Sequence, residues 1–414
     1  MSEKLKQAFS KRQWVILLSL WLAYLLSFVA RLVWSSVMSI ANGDLGFSVL
    51  QGSSYITAFY IGYAITALPG GILSDKIGYR KTILMCLAGI VVFTALTGTI
   101  GSYEIGFVYR FLLGVCAGPL NACCLSAIAD VFSTRQRGTA TGLLMTSTSL
   151  GITVVNLYAP SIANDYGWQM AMFATAVIPL LVLVMCFFTL RSGEGAASSS
   201  EQPEAKDSQA PAASMSVREN LLTICRTRNV WLMSLVGLCA TGATWGVTNW
   251  ANLFMTESMG VSAVTAGSIV AIYGVAAFIS KPLIGVVSDH LNVKKNIIAA
   301  ICLFILAPAL FFFANTPNES MLYITGTIMG VAAFMYSPLT NALAVAVAPA
   351  GCRGTSAGFV NLFNQIGSLS APMVLGSVLN ATGNYQTAMM SIAFLPIIGA
   401  IALLFVKVPK PEAK

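Results

Sequence analysis

Three cations stand inside apolar segments of this 414-residue chain: Arg31, Arg110 and Lys281. The other lysines and arginines sit at segment ends, in loops or in tails, and no carboxylate lies at comparable depth along the sequence. A charge held deep in a bilayer is costly and marks a functional site. Cations without an acid at their own depth suit one chemistry above others, the reception of an anion. Arg31 lies seventeen residues beyond Trp14, about 25 Å of helix, in the outer half of its segment. Trp34 and the run Val37 to Ile40 follow it before the chain turns polar, which argues against a side chain that merely snorkels to the surface. Arg110 reads equally as part of an anion site or as a buried guanidinium that hydrogen-bonds its own half of the protein. Lys281 precedes Pro282, whose ring removes a helical hydrogen bond and leaves a carbonyl available. Snorkelling toward a segment end about 9 Å away is its alternative.

Other side chains suited to lining such a site lie on the neighbouring segments: Tyr60, Tyr63, Trp245, Asn249, Tyr273, Asn361, Asn364 and Gln365. The three amides on one segment carry most weight, because buried amides need partners; hydroxyls and aromatics more often serve packing.

The elements that must position these residues are membrane-spanning helices. The chain is 57% apolar and 9% charged, far from the composition of a soluble protein. Twelve apolar runs long enough to span a bilayer recur, from 14–37 and 50–73 to 385–407, with short connections. The first run is too long for a signal-peptide core and reads as a retained helix. Lys and Arg gather on one side of this pattern, and the other side receives Asp44, Glu104, Asp165, Glu257 and Glu319. Positive residues stay cytoplasmic during insertion, so both termini are expected in the cytoplasm and the +8 net charge reflects topology. No nucleic acid is expected as a partner. The nine cysteines sit mostly within helices and read as small hydrophobes, not as a disulfide framework. No nucleophile–base pair, metal cluster or cofactor motif is present, so neither enzyme, metal nor cofactor is expected.

A polar stretch rich in Ala, Ser, Pro and Glu divides the chain into lobe 1–190, linker 191–228 and lobe 229–414, six helices to each lobe. The lobes repeat. Arg137-Gly138-Thr139 matches Arg353-Gly354-Thr355, and Gly114-Val115 matches Gly330-Val331, both at an offset of 216 residues. Gly71-x3-Asp75 matches Gly285-x3-Asp289 at an offset of 214. Such repeats build two-lobed carriers whose substrate site lies near the membrane midplane.

The loop Gly71-Ile-Leu-Ser-Asp75-Lys76-Ile-Gly78-Tyr-Arg80-Lys81 fits the G-x3-D-[RK]-x-G-x-R-[RK] signature without a mismatch, and resembles the major facilitator superfamily. The resemblance covers the whole chain and implies twelve helices and alternating access. Asp75, Arg80, Asp130, Arg137 and, in the second copy, Asp289 are expected to form gating contacts, with Arg80 and Arg137 reaching Asp130. The segment from Arg31 to Asp44-Leu45-Gly46, with Arg110-Phe-Leu-Leu-Gly114 and Pro119, resembles the anion:cation symporter branch. In that branch acids precede the first arginine and lie near the second; here Ala30 and Ala117 occupy those positions. Lys281-Pro282-x2-Gly285 resembles the R-P-x2-G segment of monocarboxylate and oxalate carriers, where a cation meets the substrate carboxylate.

The expected function is secondary active transport of a small organic anion (a carboxylate, sugar acid or sulfonate) across the bacterial inner membrane. Protons or a counter-anion would be the coupling partner, by symport or exchange. The expected protein is a multi-pass monomer whose partners are the anion and the lipid bilayer, with Arg31 and Lys281 meeting the anion from opposite lobes. The alternatives are a uniporter of a monocarboxylate and a non-transporting ligand sensor.

Overall fold

A computed structural model describes residues 9–190, 223–291, 293–349 and 353–408. Most of the linker, 191–222, lies outside them, as does the Asp75 side chain. The first compact unit, Met1–Ala205, contains α1 (Lys11–Leu45), α2 (Val49–Ile77), α3 (Tyr79–Thr97), α4 (Tyr103–Ala117), α5 (Leu120–Val131), α6 (Thr134–Tyr166) and α7 (Trp168–Thr189). The second, Lys206–Lys414, contains α8 (Arg228–Met259), α9 (Ala263–His290), α10 (Lys295–Ala314), α11 (Glu319–Met335), α12 (Ser337–Ala346), α13 (Arg353–Thr382), α14 (Tyr385–Met390) and α15 (Phe394–Leu404). Among the described residues there is no β-strand.

Local sequence explains the helix ends. Ser10 with Gln13, Ser48 with Gln51 and Ser133 with Gln136 form capping boxes that satisfy otherwise orphaned N–H groups. Three apolar runs are each split into paired helices, two of them at proline and the third, α14 and α15, at the turn over 391–393. α4 and α5 divide at Gly118-Pro119, and α11 and α12 divide near Pro338, because proline cannot donate to the helical ladder. Joined across such breaks, eleven helical spans are long and apolar enough to cross a membrane. α2, a 29-residue helix over the expected 50–73 run, completes the set of twelve.

The repeat seen in sequence is a repeat of packing. In the first unit α1 lies on α6 and α7, α2 on α4, and α3 on α7. In the second, α8 lies on α13 and α15, α9 on α11, and α10 on α15. The matched glycines have the same task in each copy. A Cβ on Gly114 would meet the Phe59 carbonyl of α2, and one on Gly330 would meet the Tyr273 carbonyl of α9. Without a side chain, each helix approaches its neighbour's backbone, the packing mode that substitutes for the hydrophobic effect in lipid.

Candidate functional site

In the first unit the site is built on α1. Every residue from Ala23 to Met38 is buried, so this stretch is enclosed on all faces and is not an amphipathic lipid-facing helix. Arg31 is 6% exposed within it. Its guanidinium carbon lies 4.2 Å from the Tyr60 ring centroid, 5.2 Å from Phe28, 5.5 Å from Tyr63 and 5.7 Å from Phe59. Phe28 sits one turn before Arg31 on the same helix; the other three rings come from α2. Aromatic faces carry negative charge density and so stabilise a cation held away from water.

Arg110 is fully buried on α4 and points at the same region from behind. Its Nη2 donates to the Arg31 carbonyl at 3.0 Å, its Nη1 to the Ala30 carbonyl at 3.2 Å and its Nε to the Tyr55 carbonyl at 3.5 Å. One guanidinium thus ties α4 to both α1 and α2, and fixes the turn of α1 that presents Arg31. Beyond Arg31, Trp34 donates its indole N–H to the Gly52 carbonyl at 2.9 Å and packs on Tyr55 and Trp168. That aromatic cluster closes the end of the helix packing. A separate cavity of about 450 Å³ between α2, α3, α4 and α5 includes Thr66, Leu73, Lys76, Cys86 and Pro119 in its wall. None of the rings around Arg31 lines it, and its wall is mostly apolar.

In the second unit Lys281, half-buried on α9, places its Nζ 4.8 Å from the centre of the Phe334 ring on α11. Phe334 is held edge-on by Trp245 of α8 at 5.9 Å and by Tyr273 of α9 at 5.8 Å. Two hydroxyl pairs brace the group: Tyr273 with Thr248 at 2.8 Å and Tyr336 with Thr244 at 2.9 Å. Lys281, Tyr273 and Trp245, singled out in sequence, therefore belong to one aromatic cluster. Asn249 is fully buried and donates to the Trp245 carbonyl at 2.7 Å, bracing its own helix. On α13, Asn361 is exposed, Gln365 is half-buried, and the Asn364 side chain packs against Gly237 of α8.

The gating residues take partners other than those the sequence suggested. Arg80 donates to the Phe187 carbonyl at 2.8 Å and stacks on that residue's ring. Arg137 donates to the carbonyls of Ala129 and Phe132. Asp130 accepts the Tyr79 hydroxyl at 3.3 Å. Where bridges from both arginines to Asp130 were expected, the arginines instead hold helix ends, satisfying carbonyls that lack an intrahelical donor. Asp289 pairs with Lys295 at 2.9 Å across the α9–α10 turn. The eight cysteines among the described residues are free thiols. No metal-binding cluster occurs among those residues either.

A family profile described as the Major Facilitator Superfamily matches residues 20–372 and 254–414, which together take in nearly all of both units. The chain belongs to the major facilitator superfamily. It is therefore a multi-pass membrane protein of a transporter family and not an enzyme. This superfamily member is 24% identical to a probable galactarate/D-glucarate transporter of Bacillus subtilis, over 96% of the chain and 92% of that relative. It is 25% identical to a probable sulfoacetate transporter of Cupriavidus necator, over 98% and 97% respectively. A membrane sensor protein of Escherichia coli is 24% identical over 94% of the chain and 91% of that protein. The fold is shared with a bacterial homologue of the human lysosomal transporter Spinster, solved inward-facing and occupied, at a TM-score of 0.78 and 16% identity over 96% and 97% of the two chains.

Sequence reasoning missed Phe28, Phe59 and Phe334. Phe28 was within reach, since residues three apart share a helix face. Phe334 lies on another element from Lys281 and had no local signal beyond its position four residues after Gly330.

Proposed function

We propose that this protein is a secondary transporter of a small organic anion, working by alternating access, in which Arg31 and Lys281 each supply positive charge to the substrate. The observation that carries this reading is a guanidinium kept deep in a membrane-spanning helix among four aromatic rings. Desolvating a cation there is costly, and an anion arriving at it recovers much of that cost. The named relatives for sugar acids and sulfoacetate support the substrate class.

Ala30 and Ala117 stand where the symporter branch has acids, so coupling through those positions is absent from this reading. Drive then comes from exchange against a second anion, or from protons carried with the substrate carboxyl. Reconstitution into liposomes separates the two. Acceleration by an imposed inward proton gradient supports symport; acceleration by anion loaded inside supports exchange. Arg31→Ala and Lys281→Ala are each expected to lower uptake by at least about tenfold, the cost of one charge-assisted contact, with membrane insertion retained. Wild-type uptake in both variants would sink the proposal.

The similarity to a membrane sensor favours one second reading, binding without transport. Accumulation of labelled anion by whole cells expressing the protein decides against it; saturable binding without accumulation decides for it.

A further inference from the structure

The cavity between α2, α3, α4 and α5 shares no residue with either cation cluster, and its dimensions point to a ligand of another kind. Along α2 its wall runs from Thr66 through Leu73 to Lys76. Ten residues of helix rise about 15 Å, half of the roughly 30 Å hydrocarbon core of a bilayer. The cavity is therefore one leaflet deep, and its volume of about 450 Å³ is that of a small-ligand site.

Leu73 and Met85 line this wall and are also exposed, at 37% and 59%. Farther along α3, Val92 is exposed as well. An exposed apolar face on a spanning helix meets lipid, so the cavity opens toward acyl chains. Its two hydroxyls are turned to backbone: Thr66 donates to the Gly62 and Val115 carbonyls at 2.9 and 3.0 Å, and Thr82 to the Gly78 carbonyl at 3.0 Å. Water is a poor occupant of such a space, since each molecule needs two or more polar partners. Among the described residues of the wall Lys76 is the one charge, exposed in the last turn of α2. A lysine there lays its stem along apolar surface and holds its ammonium at headgroup depth.

We propose that this cavity binds one acyl chain of an anionic phospholipid, whose headgroup meets Lys76. The site lies at two prolines that cannot donate to the helical ladder, Pro69 within α2 and Pro119 at the α4–α5 break. A Cβ on Gly70 would meet the Pro119 ring, so α2 and the break touch beside the cavity. The bound chain fills the space next to that contact and stabilises the folded unit.

The test uses the full chain in detergent with three probes that carry the same photoreactive diazirine on an acyl chain: phosphatidylglycerol, phosphatidylcholine and palmitate. Crosslinks are mapped by peptide mass spectrometry. Phosphatidylglycerol is expected to label the cavity wall of α2 and α3 about fivefold more than phosphatidylcholine does, the scale of one lysine at an anionic surface. Lys76→Gln is expected to remove that preference. Met85→Trp, which adds bulk at an exposed wall position, is expected to reduce labelling by both lipids at least about twofold. Crosslinks spread evenly over the exposed faces of the spanning helices would overturn the site, as would unchanged labelling in Met85→Trp. Equal labelling by the two lipids, or a preference that survives Lys76→Gln, overturns the anionic headgroup. Stronger labelling by palmitate than by phosphatidylglycerol assigns the cavity to a free fatty acid and overturns the phospholipid. None of these outcomes depends on uptake, so the transport reading is tested separately.

Discussion

At the scale of residues, two arginines of one unit show how little a residue type alone reveals. Arg31 and Arg110 share burial, and Arg110 reaches from α4 to the backbone of α1. Arg110 spends three donors on backbone carbonyls of α1 and α2, whereas Arg31 lies against four aromatic rings. Two of those carbonyls belong to Ala30 and Arg31, so Arg110 holds the turn that aims its neighbour. Lysine in place of Arg110 cannot present the planar fork that serves three carbonyls at once. Arg110→Lys is expected to lose about 1–3 kcal/mol of stability, because buried acceptors are left unmatched. Arg31→Lys is expected to melt within about 1 kcal/mol of wild type yet lose bidentate anion contact and most uptake. Thermal unfolding in detergent, set beside uptake, checks both; equal destabilisation of the two variants contradicts the division of roles. The sequence showed that these cations were unusual. It could not show where Arg110 points, since backbone carbonyls exist at every residue and leave no mark on composition.

At the scale of elements, the repeat was legible because it is written in glycines. The Gly114/Gly330 match turned out to mark close backbone approach, α4 onto α2 and α11 onto α9. Gly285 has a different basis, for a Cβ there meets nothing within 4 Å. Gly114 and Gly330 are therefore required by packing, and Gly285 is not. Gly114→Ala forces a methyl onto the Phe59 carbonyl and must move one helix off the other. The expected cost is about 1–3 kcal/mol, as for other overpacked contacts, and displacement of the α2 rings from Arg31 should lower uptake as well. Gly285→Ala, on a helix in open space, is expected to be neutral or slightly stabilising, since alanine favours the helix. Melting both variants side by side tests the contrast, and an unperturbed Gly114→Ala would contradict the close-approach assignment. The aromatic cluster around Lys281 was legible only in part. Trp245, Tyr273 and Phe334 come from three helices, and their meeting depends on helix rotation, which hydropathy leaves undetermined when a helix is buried on most faces.

At the scale of the whole molecule, the twelve-helix plan followed from apolar run lengths, because a bilayer sets one length for every span. Orientation rests on a separate signal, the segregation of charge. Lys76, Arg80, Lys81, Arg226 and Arg228 flank one set of helix ends, and Asp44, Glu104, Asp165 and Glu257 flank the other. A polybasic connection resists translocation, so the side bearing Arg226 and Arg228 should be cytoplasmic. Cys225 adjoins those arginines and is exposed, whereas six of the other described cysteines are buried and Cys116 is partly so. That makes it a natural reporter. In a Cys352→Ser background, which removes the one cysteine outside the described residues, a membrane-impermeant maleimide is expected to leave intact cells unlabelled. The same reagent should label Cys225 in inside-out vesicles and after permeabilisation. The buried thiols should stay unreacted until the protein is denatured, because maleimide needs both access and a thiolate. Labelling of Cys225 in intact cells would invert the orientation. The Arg31 end of α1 would then face the cytoplasm, and an anion entering from outside would meet the turn bearing Asp75 first. The charge segregation therefore bears on the direction of transport as well as on topology.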